Sequence, residues 1–421
     1  MNRARAWIVW APSALFFGYA FFLRVSPSVM AGDLMREFAV GGALLGNLAA
    51  FYFYAYASIQ IPVGVLVDNF GPRRIITAAA LVTAIGSLAF ATAESLEAAY
   101  AGRLLIGIGA GFSWVAGLSV VARWFPPRRF AFVSAASNLV GMLGAAAAQA
   151  PLAAIVDTAG WRPPMMGAAL FGIALSVAAW LLVRDRPRPA DGAASAPARK
   201  AFLHGLKLAA SNGQTWLIAI YCGAVIAPFL GLSSLWGVPY LMHAHGFERP
   251  RAALFMSAMI AGMAAGGLLF GWISDRIGRR KPLMFVAIIG QAASILVTFY
   301  WQPVTAGWMF LPIGAIGFFA SGLIIGFATA RDANSPESTG AATGMVNMAV
   351  IGGGALIQPL IGLMLDSHWD GGTAGGTRVY SMDTYETAFL TLFGSLAVAF
   401  LAALLVRETW CGEAPRSIAT R

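Results

Sequence analysis

Apolar residues fall in runs of roughly 18–25, the length a helix needs to cross a hydrocarbon layer about 30 Å thick. Short segments rich in arginine, glycine, proline and acidic residues separate them. Buried strands are far shorter than these runs, so the period reads as helix. Twelve membrane spans are predicted, the first six over 7–31, 42–66, 74–93, 97–122, 129–155 and 163–184. The second six cover 213–241, 251–274, 282–301, 304–330, 337–364 and 384–407. The fold class is therefore an all-α membrane protein with two sets of six helices. The domains divide as 1–190, a linker at 191–212, and 213–421.

The longest connection runs from Asp185 to Ser211, opens Asp-Arg-Pro-Arg-Pro and includes Arg186 and Arg188. Its second part, Ala198-Arg-Lys-Ala-Phe-Leu-His-Gly-Leu-Lys-Leu, mixes basic and apolar residues at helical spacing. That reads as a short amphipathic helix on the membrane surface, with a disordered tether as the alternative. The segment from Asp366 to Asp383, with Gly371, Gly372, Gly375 and Gly376, reads as a flexible loop without a motif.

The halves repeat each other. Gly64, Asp68 and Gly71 recur as Gly271, Asp275 and Gly278, each 207 positions on. Asn138, Gln149, Asp157 and Trp7 recur as Asn347, Gln358, Asp366 and Trp216, each 209 positions on. Agreement within two residues across separate regions implies two copies of one unit with like topology.

Charged residues make up 11% of the chain, against about 25% in soluble proteins. The net charge of +10 does not mark a nucleic-acid groove, because the arginines collect at span ends. If the N-terminus is cytoplasmic, Arg73, Arg74, Arg123, Arg128, Arg129, Arg276, Arg279, Arg280 and Lys281 all fall on the inner side. The outer loops then hold only Arg36, Arg162, Arg249, Arg251 and Arg378, so both termini are predicted inside. Arg3 and Arg5 precede a run too long for a signal-peptide core, which reads as an uncleaved first span. Cys222 and Cys411 give neither a disulfide framework nor metal-ligand spacing. The glycines of Gly107-Ile-Gly109-Ala-Gly111 lie inside an apolar span without a preceding strand, which excludes a dinucleotide fingerprint.

The repeated loop is the first candidate device. Gly71 and Gly278 permit tight turns. Arg73 and Arg74 stand at a helix start, and Asp68 and Asp275 at helix ends, where each charge is unfavourable alone. Gly64, Asp68, Gly71, Arg73 and Arg74, with Gly271, Asp275, Arg276, Gly278, Arg279 and Arg280, are thus read as a gate whose partners change with conformation.

This pattern resembles the loop signature of the major facilitator superfamily, and the resemblance covers the whole chain. Arg103 with Gly107 and Gly111 is similar to the signature of its fourth helix, while Asn69 departs from the loop pattern. The family implies two pseudo-symmetric six-helix bundles, the major facilitator fold, rocking about a central site. It also implies a monomer. The fifth span lacks a clean Gly-Pro-x-x-Gly-Gly antiporter pattern.

Arg24 and Arg103 are the two cations well inside spans. Ionisable groups at that depth are costly and tend to line a cavity. An arginine keeps its charge, and its planar fork suits a carboxylate. Arg24 also resembles the first-helix arginine of organic-anion members of the superfamily; the bland alternatives are headgroup contact or pairing with Asp33 or Glu37. For Arg103 the bland alternative is a tie to neighbouring backbone. Tyr52, Tyr56 and Gln60 share one helix face. Tyr221, Trp236, Asn138, Gln149, Asn347 and Gln358 complete the polar contacts expected, with Trp236 and Tyr240 read alternatively as an outer aromatic belt. No Asp or Glu stands mid-span.

The predicted function is a secondary carrier of a small organic anion, not an enzyme, using no cofactor or metal. A coupling proton or a counter-anion is its second partner, the lipid bilayer its surroundings, and a bacterial inner membrane its location. A zwitterionic nutrient is the alternative cargo, lipophilic drug export a further one, and a non-transporting sensor the alternative class.

Overall fold

The structure, a computed structural model, describes residues 3–185, 197–301, 306–374 and 377–412. The Pro-rich stretch with Arg186 and Arg188, and Gly375 and Gly376, lie outside the described residues. In the first half the helices are α1 (Arg3–Val25), α2 (Pro27–Glu37), α3 (Gly42–Phe70), α4 (Pro72–Ala91), α5 (Leu96–Ala110), α6 (Ser113–Trp124), α7 (Pro127–Ala147), α8 (Ala150–Ala159) and α9 (Arg162–Leu182). The second half holds α10 (Pro197–Ser211), α11 (Gly213–Gly231), α12 (Gly237–His245), α13 (Arg249–Ile277), α14 (Lys281–Phe299), α15 (Phe310–Ala320), α16 (Leu323–Asp332), α17 (Thr339–Ser367) and α18 (Met382–Leu405).

Among the described residues eleven helices are long and apolar enough to cross a membrane, and the pair Gly42–Gln60 and Pro62–Phe70, bent by 64°, makes a twelfth when counted as one broken span. Several expected spans are segmented rather than continuous. Pro27 removes a backbone donor, and α1 gives way to α2 at Ser26. Pro62 bends α3 for the same reason. The fourth span breaks at Gly111 and the tenth at Ser321, 210 positions on, so the repeat extends to its irregularities. The seventh span carries a π-helical turn at Leu232–Trp236.

Contacts group the chain into two units. The first is Met1–Ala193 with Ser233–Leu254 and Gln358–Tyr385; the second is Ala194–Leu232, Phe255–Ile357 and Glu386–Arg421. Within the first, α4 packs on α5 and α9, and α1 on α6 and α7. Small residues allow this closeness: a Cβ on Gly144 of α7 would stand 2.0 Å from the Gly18 carbonyl oxygen of α1. Within the second, α14 packs on α15 and α11 on α16. There α10 lays Leu206 and Ala209 against Ala341, Ala342 and Met345 of α17.

Two expectations are corrected. The segment after Asp366 carries a short antiparallel pair, Thr373–Ala374 with Thr377–Arg378, where only an irregular loop was expected. Trp236 and Tyr240 are fully buried and form no lipid-facing belt.

Candidate functional site

Arg24 occupies the last turn of α1, placed by the break that Pro27 imposes. Its guanidinium stacks 3.6 Å from the Phe21 ring centroid. Phe21 in turn lies against Phe17, and Phe17 against Trp114 of α6, at 4.5 and 4.9 Å. The Arg24 Nε is buried without a hydrogen bond, and among the described residues no carboxylate pairs with this cation. Its sequence rivals are engaged elsewhere: Asp33 with Arg36 and Arg249, at 3.6 and 2.9 Å, and Glu37 with Arg162 at 2.8 Å. A cation left this way in an apolar span favours any anion that can reach it.

Tyr52 and Tyr56 of α3 lie within electrostatic reach of Arg24, their ring centroids 5.9 Å apart. The Tyr52 hydroxyl donates to the Ala20 carbonyl at 3.2 Å. The Tyr56 hydroxyl makes no hydrogen bond among the described residues, although the residue is only 6% exposed. An unpaired cation on α1 and an uncommitted phenol on α3 thus stand near each other.

The other predicted polar residues serve the fold in this state. Arg103 is fully buried and donates to Leu23 O of α1 at 2.7 Å and to Ala49 O of α3 at 3.3 Å. Gln60 donates to Gly111 O at 3.2 Å, where the fourth span breaks. In the second unit Tyr221 likewise donates to Gly322 O at 3.2 Å, where the tenth span breaks. Gln149 donates to Ser233 O at 2.8 Å, with its Oε1 buried and unpaired. Trp236 donates to Gln358 O at 2.9 Å, and Gln358 is fully buried. Asn138 is exposed and Asn347 half-buried, the latter in the second unit.

The two loop copies are built alike. A carboxylate after the sixth span, Asp185, accepts from Arg73 N at 3.0 Å. After the twelfth span, Glu408 accepts from Arg280 N at 2.8 Å and Lys281 N at 3.1 Å. Each acid satisfies a helix N-terminus. The side chains diverge. Arg73 donates to Trp180 O at 3.0 Å and lies over that indole, whereas Arg280 turns inward to Asp275 at 2.9 Å and Asp332 at 3.3 Å. Burial disfavours the Arg280 charge, but the Asp275 hydrogen bond, Cys411 and Asp332 together raise the guanidinium above its ordinary value. Arg74, Arg276 and Arg279 remain on the surface, the last two over Trp272 and Trp410. A Cβ on Gly64 or Gly271 would meet nothing within 4 Å. Asp68 is exposed, and Gly71 and Gly278 take the positive φ that their turns require, 79° and 69°.

Sequence reasoning missed the opposite end of the first unit. Arg249 lies 2.9 Å from Asp33 and 3.2 Å from Asp157. Asp366 accepts from Gly42 N and Ala43 N, each at 2.9 Å, and from the Tyr380 hydroxyl at 2.6 Å. The signal was present: Asp157 and Asp366 are repeat mates.

Eleven to twelve apolar spans among the described residues, from a chain whose halves repeat, mark a polytopic membrane protein. The chain belongs to the Major Facilitator Superfamily, whose family model matches residues 11–238 and 231–417, and it is a transport-family protein rather than an enzyme. It is 25% identical over 67% of its length to a probable sulfoacetate transporter of Cupriavidus necator, covering 69% of that protein. It is 26% identical to a membrane sensor protein of Salmonella typhimurium over 88% of both chains. A probable galactarate/D-glucarate transporter of Escherichia coli is 23% identical over 82% of this chain and 84% of its own. Among solved structures, an inward-facing, occupied bacterial homolog of the human lysosomal transporter Spinster matches with TM-score 0.78 and 19% identity, over 96% of both chains; it speaks for the fold alone.

Proposed function

We infer that the protein carries a small organic anion across the membrane by alternating access, with Arg24 as counter-ion and Tyr56 as the neighbouring hydrogen-bond donor. The observation that carries this reading is the Arg24 guanidinium, which has no anionic partner among the described residues. The names of two relatives, a sulfoacetate and a galactarate/D-glucarate transporter, support an anionic cargo. The clustering of Arg and Lys supports a cytoplasmic face at the Arg73 loop, and the bacterial relatives support a bacterial inner membrane as location. On that orientation, the contacts of Arg249 and Asp366 close the outer end in this state. Arg103, Gln60, Gln149, Trp236 and Tyr221 then brace the site rather than touch the cargo. Without a mid-span carboxylate, the reading favours exchange for a second anion, or an anion that carries its own proton.

The test is uptake by proteoliposomes preloaded with a panel of carboxylates and sulfonates, with and without a pH gradient. Saturable exchange that is lost in Arg24→Ala and retained in part in Arg24→Lys supports the reading. Flux indifferent to both changes removes Arg24 from the site. The likeness to a membrane sensor keeps one second reading, ligand binding without flux, and the same liposomes separate the two.

A further inference from the structure

In a regular helix the carbonyl of residue 23 accepts from the N–H of residue 27. Here residue 27 is proline, which has no N–H. The Ser26 N–H makes its ordinary helical bond to Phe22 O at 3.0 Å and cannot stand in for it, so the carbonyl of the fully buried Leu23 lacks its backbone donor. An orphaned carbonyl in that setting is costly. Two side chains answer it: the Ser26 hydroxyl at 3.1 Å and, at 2.7 Å, the Nη1 of Arg103 from α5. The second terminal nitrogen of Arg103 reaches Ala49 O of α3 at 3.3 Å, and its guanidinium lies 5.2 Å from the Tyr52 ring.

We propose that Arg103 is a positioning residue: it supplies the donor that Pro27 lacks, and so fixes the turn that presents Arg24 to the cargo. Leu23, whose carbonyl it holds, is the residue before Arg24. Through Ala49 it ties the same turn to the helix that carries Tyr52 and Tyr56. The charge of Arg103 is thereby turned to backbone oxygens, and Arg24 is left as the cation for the anion. A lysine in place of Arg103 offers one point of donation, where the planar fork bridges two helices. The proposal rests on the carrier reading for its transport readout, but the geometry it invokes is independent of that reading.

The experiment is a double-mutant cycle between Arg103→Met and Pro27→Ala, since alanine in place of the proline restores the missing N–H to Leu23 O. KM and kcat for exchange, and the unfolding midpoint in detergent, are measured for all four proteins. With Pro27 present, Arg103→Met is expected to raise KM at least tenfold and lower the midpoint. In the Pro27→Ala background the same change should raise KM less than threefold and lower the midpoint by less. Equal losses in both backgrounds would overturn the proposal and make Arg103 a direct contact with the cargo. If the wild type moves no carboxylate, the carrier reading fails, and the midpoints alone decide: coupling between the sites upholds the positioning role and additivity ends it.

Discussion

Asp157 and Asp366 stand 209 residues apart, and each holds the start of a helix in the other half of the repeat. Asp157 meets Arg249 at the start of α13, and Asp366 meets the N–H groups of Gly42 and Ala43 at the start of α3. Gly42 and Arg249 are 207 positions apart, the spacing of the repeated loop. One place in the duplicated unit is therefore filled by a guanidinium in one copy and by bare helix N–H groups in the other. A carboxylate is stabilised by either.

On the alternating-access reading proposed above, these two contacts oppose opening at that end. Arg249→Ala, which removes two partly exposed ion pairs, and Asp366→Ala, which removes charged hydrogen bonds, should each weaken closure by about 1–3 kcal/mol. A cysteine at Ser233, which is 1% exposed, is the reporter, in a background lacking Cys222 and Cys411. Its reaction with a membrane-impermeant maleimide should accelerate roughly 5- to 150-fold in either variant. Unchanged labelling would mean that neither contact holds the end shut.

Arg280 and Asp332 form a nearly enclosed pair, their side chains 5% and 4% exposed, while Asp275 is 73% exposed. Removing one partner of a buried pair typically costs about 3–5 kcal/mol. Asp332→Ala should accordingly lower the unfolding midpoint markedly, and Asp275→Ala only slightly. Equal shifts in the two variants would show that the exposed acid carries as much of the contact as the buried one.

The loop glycines separate into two kinds. An alanine at 71 would have to hold a positive φ, and its Cβ would stand 2.8 Å from the Asp185 carboxylate, so Gly71→Ala should destabilise this state; the backbone term alone is about 1–3 kcal/mol. Gly64 has ordinary helical geometry and open space around it. Gly64→Leu should leave the unfolding midpoint within a degree or two and still slow exchange severalfold, because the space it fills is needed when the conformation changes. Slow exchange together with a large loss of stability would make Gly64 a packing residue instead.

The spans and the duplication were legible because both are written in side-chain chemistry, as apolar runs and as Gly64, Asp68 and Gly71 recurring in register. Arg24 could be singled out as a candidate because a lone cation in an apolar run stands out. The acceptors of Arg103, Gln60, Gln149 and Trp236 were not: all four bond to backbone carbonyls, and every residue offers one. The break at Gly111 was hidden too, since glycine there reads equally as close packing. Arg249 looked like an ordinary loop cation because its partners, Asp33 and Asp157, are distant in sequence.

The central claim is that the unpaired guanidinium of Arg24 binds the anion. Direct binding of the exchanged carboxylate to purified protein, by isothermal titration on wild type and Arg24→Ala, tests it without any assumption about flux. The account predicts saturable binding in the wild type, weakened at least tenfold when the guanidinium is removed, with the unfolding midpoint of the ligand-free protein little changed. Equal affinity in the two proteins would contradict it.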